Sequence, residues 1–141
     1  MPSLKDILQA RALEAAEVGQ TVAEVARRMA ERNIGAILVL EKGALRGIFS
    51  ERDLMRRIVV QQLDPEATRV EAVMSTELST ADESATVEEA MELMRRRGCR
   101  HLPVMRSGRV IGFISMRDLM VCELERKTEE IAHMRNYIQG A

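Results

Sequence analysis

The chain has 141 residues, of which 46% are apolar, and a formal net charge of −1. This length suits one ordinary domain or two half-sized lobes, and the near-neutral charge with few aromatic side chains argues against a nucleic-acid-binding protein. Because no window approaches the ~18 apolar residues of a membrane span and the N-terminus has no apolar signal core, we expect a cytoplasmic protein without a membrane partner.

The first half of the chain predicts an alternation of helices and strands. A short helical turn and a short strand precede a helix that begins at Thr21, where a glutamate three residues later completes a capping signature. Two apolar strands follow at 36–40 and 45–49, joined by a tight turn. The next helix begins at Ser50 and is expected to end at Asp64–Pro65.

The same order recurs in the second half. Residues 21–57 align without a gap with residues 86–122 at a constant offset of 65, giving 13 identities. The second copy predicts a helix from Thr86 and strands at 101–105 and 110–114. One such unit cannot bury its own apolar face, so we expect the two copies to pack into one two-lobed body.

The last predicted helix begins at Ser115 and meets no stop signal before Gly140. Apolar residues continue along it at mostly helical spacing, so we expect one long helix or a helix broken once. An apolar stripe of this kind must be buried. It packs either on the protein's own lobes or on a second subunit.

These elements divide the chain into a first repeat at 1–63, a linker at 64–69, a second repeat at 70–122 and a C-terminal helical extension at 123–141. The predicted fold class is mixed α+β, with two β-α-β-β-α repeats packed as a pseudo-twofold pair. Each aligned copy carries a net charge of +3, which suits a small anion, although solvated surface charge would give the same pattern.

The strongest identity between the copies lies at Gly-x-x-Ser-x-Arg-Asp, residues 47–53 and 112–118. One interpretation is structural, because a serine and an acidic residue three positions later form a capping box. The other is a nucleotide site, because a helix N-terminus attracts phosphate, an arginine adds a charged contact, and the aspartate accepts both ribose hydroxyls. Capping alone does not require the arginine in both copies.

Other chemistry finds little support in the sequence. Cys99 and Cys122 do not correspond between the copies, and no further ligands recur near Cys99 and His101, so we expect no metal site. Neither His101 nor His133 has a neighbouring signature of nucleophilic catalysis, and no Walker-type phosphate loop occurs. We therefore expect a protein that is not an enzyme.

The doubled order of motifs resembles a tandem cystathionine beta-synthase (CBS) domain pair, or Bateman module, over nearly the whole chain. The similarity is carried by His101–Val104, by Ile34–Ala36 and by Ser50–Asp53, which are similar to small stand-alone bacterial CBS-domain proteins. The resemblance implies regulatory binding of an adenosine-containing ligand, AMP first, then ATP or ADP, NAD or S-adenosylmethionine. It also implies a homodimer and a regulated partner protein.

The resemblance also implies where the ligand lies. Asp53 and Asp118 would hold ribose, and the serines and arginines of the two motifs would face phosphate. The adenine would lie against apolar residues and strand backbone, closed by residues 13–15 and 78–80. The ligand-binding residues implied in this way are Ile34, Gly35, Ala36, Ile37, Ser50, Arg52, Asp53, Leu78, Thr80, Arg100, His101, Leu102, Pro103, Ser115, Arg117 and Asp118.

The two copies differ where the base would bind. The second has His101 and Pro103, whereas the first has Ala36 and Leu38, so we do not expect two equivalent sites. A histidine such as His101, taken on its own, is more often a packed or partly exposed imidazole than a ligand contact. The alternative function is a dimerisation or interaction module that has lost its ligand.

Overall fold

The computed structural model describes residues 2–8 and 13–140 and places them in two lobes of mixed α and β structure. Each lobe has a three-stranded sheet, in the order β1-β2-β3 in the first and β4-β5-β6 in the second. This confirms the predicted fold class. The strands are β1 (Ala15–Glu17), β2 (Ala36–Glu41), β3 (Ala44–Ser50), β4 (Ala81–Asp82), β5 (His101–Arg106) and β6 (Arg109–Ser115). The helices are α1 (Leu4–Leu8), α2 (Val22–Arg32), α3 (Glu51–Asp53), α4 (Val87–Arg97) and α5 (Met116–Gly140).

The two sheets have the same topology and the same register. In each, the short first strand pairs parallel with the second, and the second pairs antiparallel with the third. Val39 lies opposite Gly47 and Val104 lies opposite Gly112, and the register shifts directly after each of these pairs. The two copies that are similar in sequence therefore also share the same pattern of strand pairing.

The predicted tight turns are confirmed. Lys42 and Gly43 have φ values of 50° and 83°, and Ser107 and Gly108 have φ values of 49° and 80°. Two consecutive residues with positive φ form the two-residue hairpin turn that matches the twist of the flanking strands. Glycine adopts this conformation without steric cost, so it sits at the second position of both turns.

The N-terminal caps of α2 and α4 also follow the sequence. The Thr21 hydroxyl accepts the Glu24 N–H at 3.2 Å, and the Thr86 hydroxyl accepts the Glu89 N–H at 3.2 Å. Each helix turns an apolar face to its own sheet, where Val22, Val25 and Met29 enter the first core. The equivalent residues of the second core are Val87, Ala90 and Met94.

The short helical segments that open the two repeats each pack in the lobe of the other repeat. Leu4 of α1 is buried in the core of the second lobe, where its N–H donates to the Ala85 carbonyl at 2.9 Å. Val70, in a single 3₁₀ turn at Val70–Ala72, is buried in the first core, and its N–H donates to the Gln20 carbonyl at 2.9 Å. Each packed core therefore contains residues of both predicted repeats. The repeat boundaries themselves stay a prediction from the sequence.

The helix that follows Ser50 is less regular than its sequence predicts. After the single turn of α3, the backbone widens to a π-helix at Leu54–Val59, in which the Val60 N–H donates to the Met55 carbonyl five residues earlier. In contrast, α5 is one unbroken helix of 25 residues. The expected long C-terminal helix is thus present without a break.

A third apolar cluster joins the lobes. Leu38 and Ile48 of the first sheet pack in it with Val110 of the second, and Leu78 and Phe113 lie at its edge. Strands β3 and β6 are in contact there. The ends of these two strands, where the Ser-x-Arg-Asp motifs begin, therefore lie near the boundary between the lobes.

Candidate functional site

A cleft of about 640 Å³ opens between the two lobes. It is lined from the first repeat by Ile34, Gly35, Ala36 and Glu51, and from the second by the start of β5 and the junction of β6 with α5. Ligand sites for small molecules commonly occupy about 300–1,000 Å³. The cleft therefore has the size for a nucleotide, and neither repeat could form it alone.

Half of the predicted site residues lie along this cleft. They come from both repeats and form one continuous lining: Ile34, Gly35, Ala36, Arg100, His101, Ser115, Arg117 and Asp118. The remaining predicted residues do not line it: Ile37, Ser50, Arg52, Asp53, Leu78, Thr80, Leu102 and Pro103. Burial explains part of this difference, since Ile37, Leu102 and Pro103 have their side chains in the lobes rather than in the cleft.

The lining also includes residues that sequence reasoning did not name, among them Asn33, Glu51, Phe113 and Met116. Glu51 and Met116 occupy the variable position of Ser-x-Arg-Asp in the two copies. The repeat gives no signal for them, because only positions shared by both copies were singled out. The Glu51 carboxylate lies close to Gly35, since a Cβ added at Gly35 would lie 3.4 Å from it.

At the second motif, the capping geometry and the cleft coincide. The Asp118 carboxylate accepts the Ser115 N–H at 2.9 Å, and the Ser115 hydroxyl accepts the Asp118 N–H at 3.1 Å. Both residues line the cleft, together with Arg117. The motif starts α5, whose first-turn N–H groups and positive dipole end favour an anion at this corner. The structural and functional interpretations of the motif are therefore compatible here.

At the first motif, the same residues are enclosed by the chain itself. Asp53 is only 7% exposed, and its carboxylate accepts hydrogen bonds from the Ser50 N–H at 3.0 Å, the Ser50 hydroxyl at 3.1 Å and the Ser75 hydroxyl at 3.1 Å. The Arg57 guanidinium lies 3.7 Å away. Asp53 thus has partners within the protein, and the structure does not bring it to the cleft.

The segment that follows the linker closes this first corner. Ser75 pairs with Ile48 through two backbone hydrogen bonds of 2.9 and 2.8 Å, which adds it to the edge of the first sheet. Met74 packs so tightly over Gly47 that a Cβ there would lie 2.7 Å from its sulfur. The two copies therefore share the motif but differ in its environment. The inequivalence of two ligand sites stays a prediction.

His101 forms one wall of the cleft together with Phe113. Their ring centroids are 5.9 Å apart, with the planes tilted by 55°. Burial lowers the pKa of His101 below its ordinary value, while the nearby carboxylates of Asp118 and Glu51 oppose this effect. The lowered pKa favours the neutral imidazole, which offers a flat, uncharged surface.

Lowering the pH below the ordinary histidine value of about 6.5 is expected to destabilise the protein through His101. The folded-state pKa is depressed, so the unfolded chain binds the proton more readily. The stabilising contribution is full above the unfolded pKa and is lost as the pH falls through the folded pKa. Urea unfolding midpoints at about pH 7.5 and 5.5 measure the loss, and His101→Gln should reduce it. An equal loss in wild type and variant would contradict this assignment.

The charges around the cleft nearly balance. Among the described residues that line it, Arg100 and Arg117 are basic, and Glu14, Glu51 and Asp118 are acidic. Glu14 is also paired with Arg32 of α2 at 3.1 Å. Because the described lining residues carry no large positive excess, they are better matched to a ligand with one phosphate than to one with three.

Two further properties bear on the function. Within residues 2–8 and 13–140, no cluster of three or more histidine, cysteine or acidic side chains is arranged to hold a metal ion. Burial raises the pKa of the thiols of Cys99 and Cys122, which disfavours the thiolate that binds metals. Among the described helices, none combines the length and the apolar character that crossing a membrane would require.

Comparisons with known proteins give a consistent result. The family model for the CBS domain matches residues 4–60 and 70–124. The CBS domain-containing protein YhcV of Bacillus subtilis is 33% identical over 128 residues, which cover 91% of this chain and 90% of YhcV. The mitochondrial CBS domain-containing protein CBSX3 of Arabidopsis thaliana is 35% identical over 125 residues, covering 85% of this chain but only 61% of CBSX3.

Solved structures show the same likeness. A putative signal-transduction protein with CBS domains from Burkholderia ambifaria superposes with a TM-score of 0.79 at 35% identity, covering 84% of this chain and 91% of its own. The CBS domain pair of protein MJ0100, solved in complex with 5′-methylthioadenosine and S-adenosyl-L-methionine, has a TM-score of 0.79 at 22% identity and covers 89% of this chain and 98% of its own. At that identity, the second likeness concerns the fold alone.

Proposed function

The chain belongs to the CBS-domain family as a tandem CBS pair, a regulatory type of module, and on that premise we propose that it binds one adenosine-containing ligand and transmits its presence to a partner protein. The observation that supports this most is the cleft shared by both lobes, which ends at the Ser115–Asp118 corner. The module acts without catalysis of its own.

The ligand is oriented by the polar end of the cleft. The Asp118 carboxylate accepts hydrogen bonds from the two ribose hydroxyls, because it has two acceptor oxygens. The phosphate lies at the N-terminus of α5, where Ser115 and Arg117 donate to its oxygens. Helix dipole and guanidinium charge act together there, so this corner supplies most of the binding energy for an anion.

The base lies at the other end of the cleft. Ile34 and Ala36 of the first repeat face His101 and Phe113 of the second. Aliphatic side chains on one side and the tilted ring pair on the other enclose a flat aromatic base without requiring charge. Ligand binding would therefore contact both lobes and hold them in one relative arrangement.

The ligand preference follows from the charge balance. AMP carries one phosphate and is our first candidate, followed by ADP, ATP and NAD. S-adenosylmethionine belongs to the same class, and the MJ0100 pair was solved with it. Each added phosphate brings more negative charge toward Glu14 and Glu51, which already line the cleft.

We expect AMP to bind about tenfold more tightly than ATP, a difference of about 1.4 kcal/mol. Calorimetric titration of the protein, freed of copurified ligand, with AMP, ADP, ATP, NAD and S-adenosylmethionine measures the order. Tighter binding of ATP would contradict the argument from charge balance. No heat with any of these ligands would favour the alternative, a structural interaction module without a ligand.

The proposal includes a homodimer and a regulated partner protein. A ligand shifts the equilibrium between two conformations only if it binds one of them more tightly than the other. A cleft between two lobes provides such a difference in affinity if its width differs between the two conformations. The corner that holds the phosphate is also the start of α5, so a change there is passed to the C-terminal helix. The cytoplasmic localisation stays a prediction from the sequence.

A further inference from the structure

The second half of α5 projects from the lobes without cover. Residues 127–140 are helical, and every one of them is exposed. Helices of about 12–15 residues gain little stability in water by themselves, because most helical stability in proteins comes from packing an amphipathic face. The length and order of this segment therefore call for a surface against which it packs.

An apolar stripe follows α5 on the side away from the lobes. Its members are 52% to 70% exposed and recur with the alternating spacing of three and four that places them at positions a and d of a heptad, with Lys127 as the polar exception: Met120, Leu124, Ile131, Met134 and Ile138. The buried Leu119 and the half-buried Cys122 and Arg126 lie on the opposite face, toward the second lobe. The lobes therefore do not obstruct a partner on the stripe.

The charges beside the stripe indicate what covers it. With Ile131 at a, Glu130 falls at position g and Arg135 at position e of the same numbering. In a parallel pair of identical helices, a g residue faces the e residue five positions later on the other helix, so Glu130 of each copy meets the partner copy's arginine. An antiparallel pair does not bring these opposite charges together.

We propose that α5 is a dimerisation element and that two copies of this chain pair these helices in parallel as a short coiled coil. The stripe from Met120 to Ile138 spans about 27 Å of helix at 1.5 Å per residue. The occupant is a second copy rather than an unrelated helix, because the stripe and its flanking charges are self-complementary. This interface is separate from the ligand cleft and does not depend on what the cleft binds.

The first test is the mass of the full-length protein in solution over a range of concentrations, by sedimentation equilibrium. Ile131→Asp introduces a carboxylate into the stripe, whereas Ala132→Asp introduces the same charge one residue away, at an exposed position outside it. We expect Ile131→Asp to raise the dimer dissociation constant tenfold or more, about what burying an unpaired charge implies, and Ala132→Asp to leave it nearly unchanged. A monomeric wild type, or a dimer that both variants affect equally, would overturn the proposal.

The second test concerns orientation. In a background with Cys99→Ala and Cys122→Ala, Ile138→Cys places two thiols side by side in a parallel pair, whereas an antiparallel pair centred on the same stripe would separate them by about 27 Å. Gln139→Cys is the matched control at the same end of the helix. We expect rapid intermolecular disulfide formation for Ile138→Cys alone. Equal or absent cross-linking in the two variants would show that the helices do not pair in this way.

Discussion

Replacing Asp118 with alanine is expected to weaken AMP binding about 100-fold, because two hydrogen bonds from the ribose to a charged acceptor are lost. The same substitution also removes half of a capping box, which costs about 1 kcal/mol of folding stability. The protein should therefore remain folded at room temperature. Calorimetric titration with AMP and a urea unfolding curve measure the two effects separately.

Asp118→Asn is the matched control for this prediction. The amide keeps the size of the side chain and one acceptor oxygen, so affinity should be intermediate between the wild type and the alanine variant. If Asp118→Ala binds AMP as tightly as the wild type, the carboxylate acts only as a helix cap and the proposed ribose contact is wrong.

Replacing Asp53 with alanine is expected to lower the stability of the protein and to leave its AMP affinity unchanged. This carboxylate is buried and accepts three hydrogen bonds, so its loss leaves the Ser50 N–H and the hydroxyls of Ser50 and Ser75 without their acceptor. It also removes the acidic neighbour of Arg57. We expect a loss of about 2–4 kcal/mol in the free energy of unfolding and no change in AMP affinity.

Thermal and urea unfolding of Asp53→Ala beside Asp118→Ala make the comparison direct, since the same substitution is made at equivalent positions of the two copies. A destabilised variant with normal affinity supports an enclosed first corner. A stable variant that loses one of two binding events would instead place a ligand at Asp53, as the family resemblance first implied.

Much of the fold is predictable because local chemistry determines it. Thr21 and Thr86 cap helices, and the turns before Ala44 and Arg109 carry a glycine where φ must be positive. These signals are short-range, and they occur twice, so each copy supports the interpretation of the other. The helices α2 and α4 and the hairpins β2–β3 and β5–β6 are marked in this way.

The features that the sequence does not predict depend on contacts between distant segments. Leu4 and Val70 belong to the cores of opposite lobes, and no local pattern states which core accepts them. The π-helix after Asp53 follows the same apparent start signal as the regular α5. The wider turn accompanies Arg57, whose guanidinium donates to the Val73 and Met74 carbonyls at 3.0 and 2.8 Å.

The candidate site is likewise predictable from the sequence only in part. The doubled Ser-x-Arg-Asp motif is readable in the sequence, and one copy lines the cleft. What separates the copies lies outside the motif, in Met74 and Ser75, which cover the first corner. Glu51 enters the cleft from the position at which the copies differ, so a search for shared residues passes over it.

The central claim is that each chain holds one adenosine-containing ligand, in the cleft that ends at Asp118. Calorimetric titration of the ligand-free protein with AMP tests it through the stoichiometry per chain. We expect one binding event per chain, absent or strongly weakened in Asp118→Ala and retained in Asp53→Ala. Two equivalent binding events per chain, or none, would contradict it.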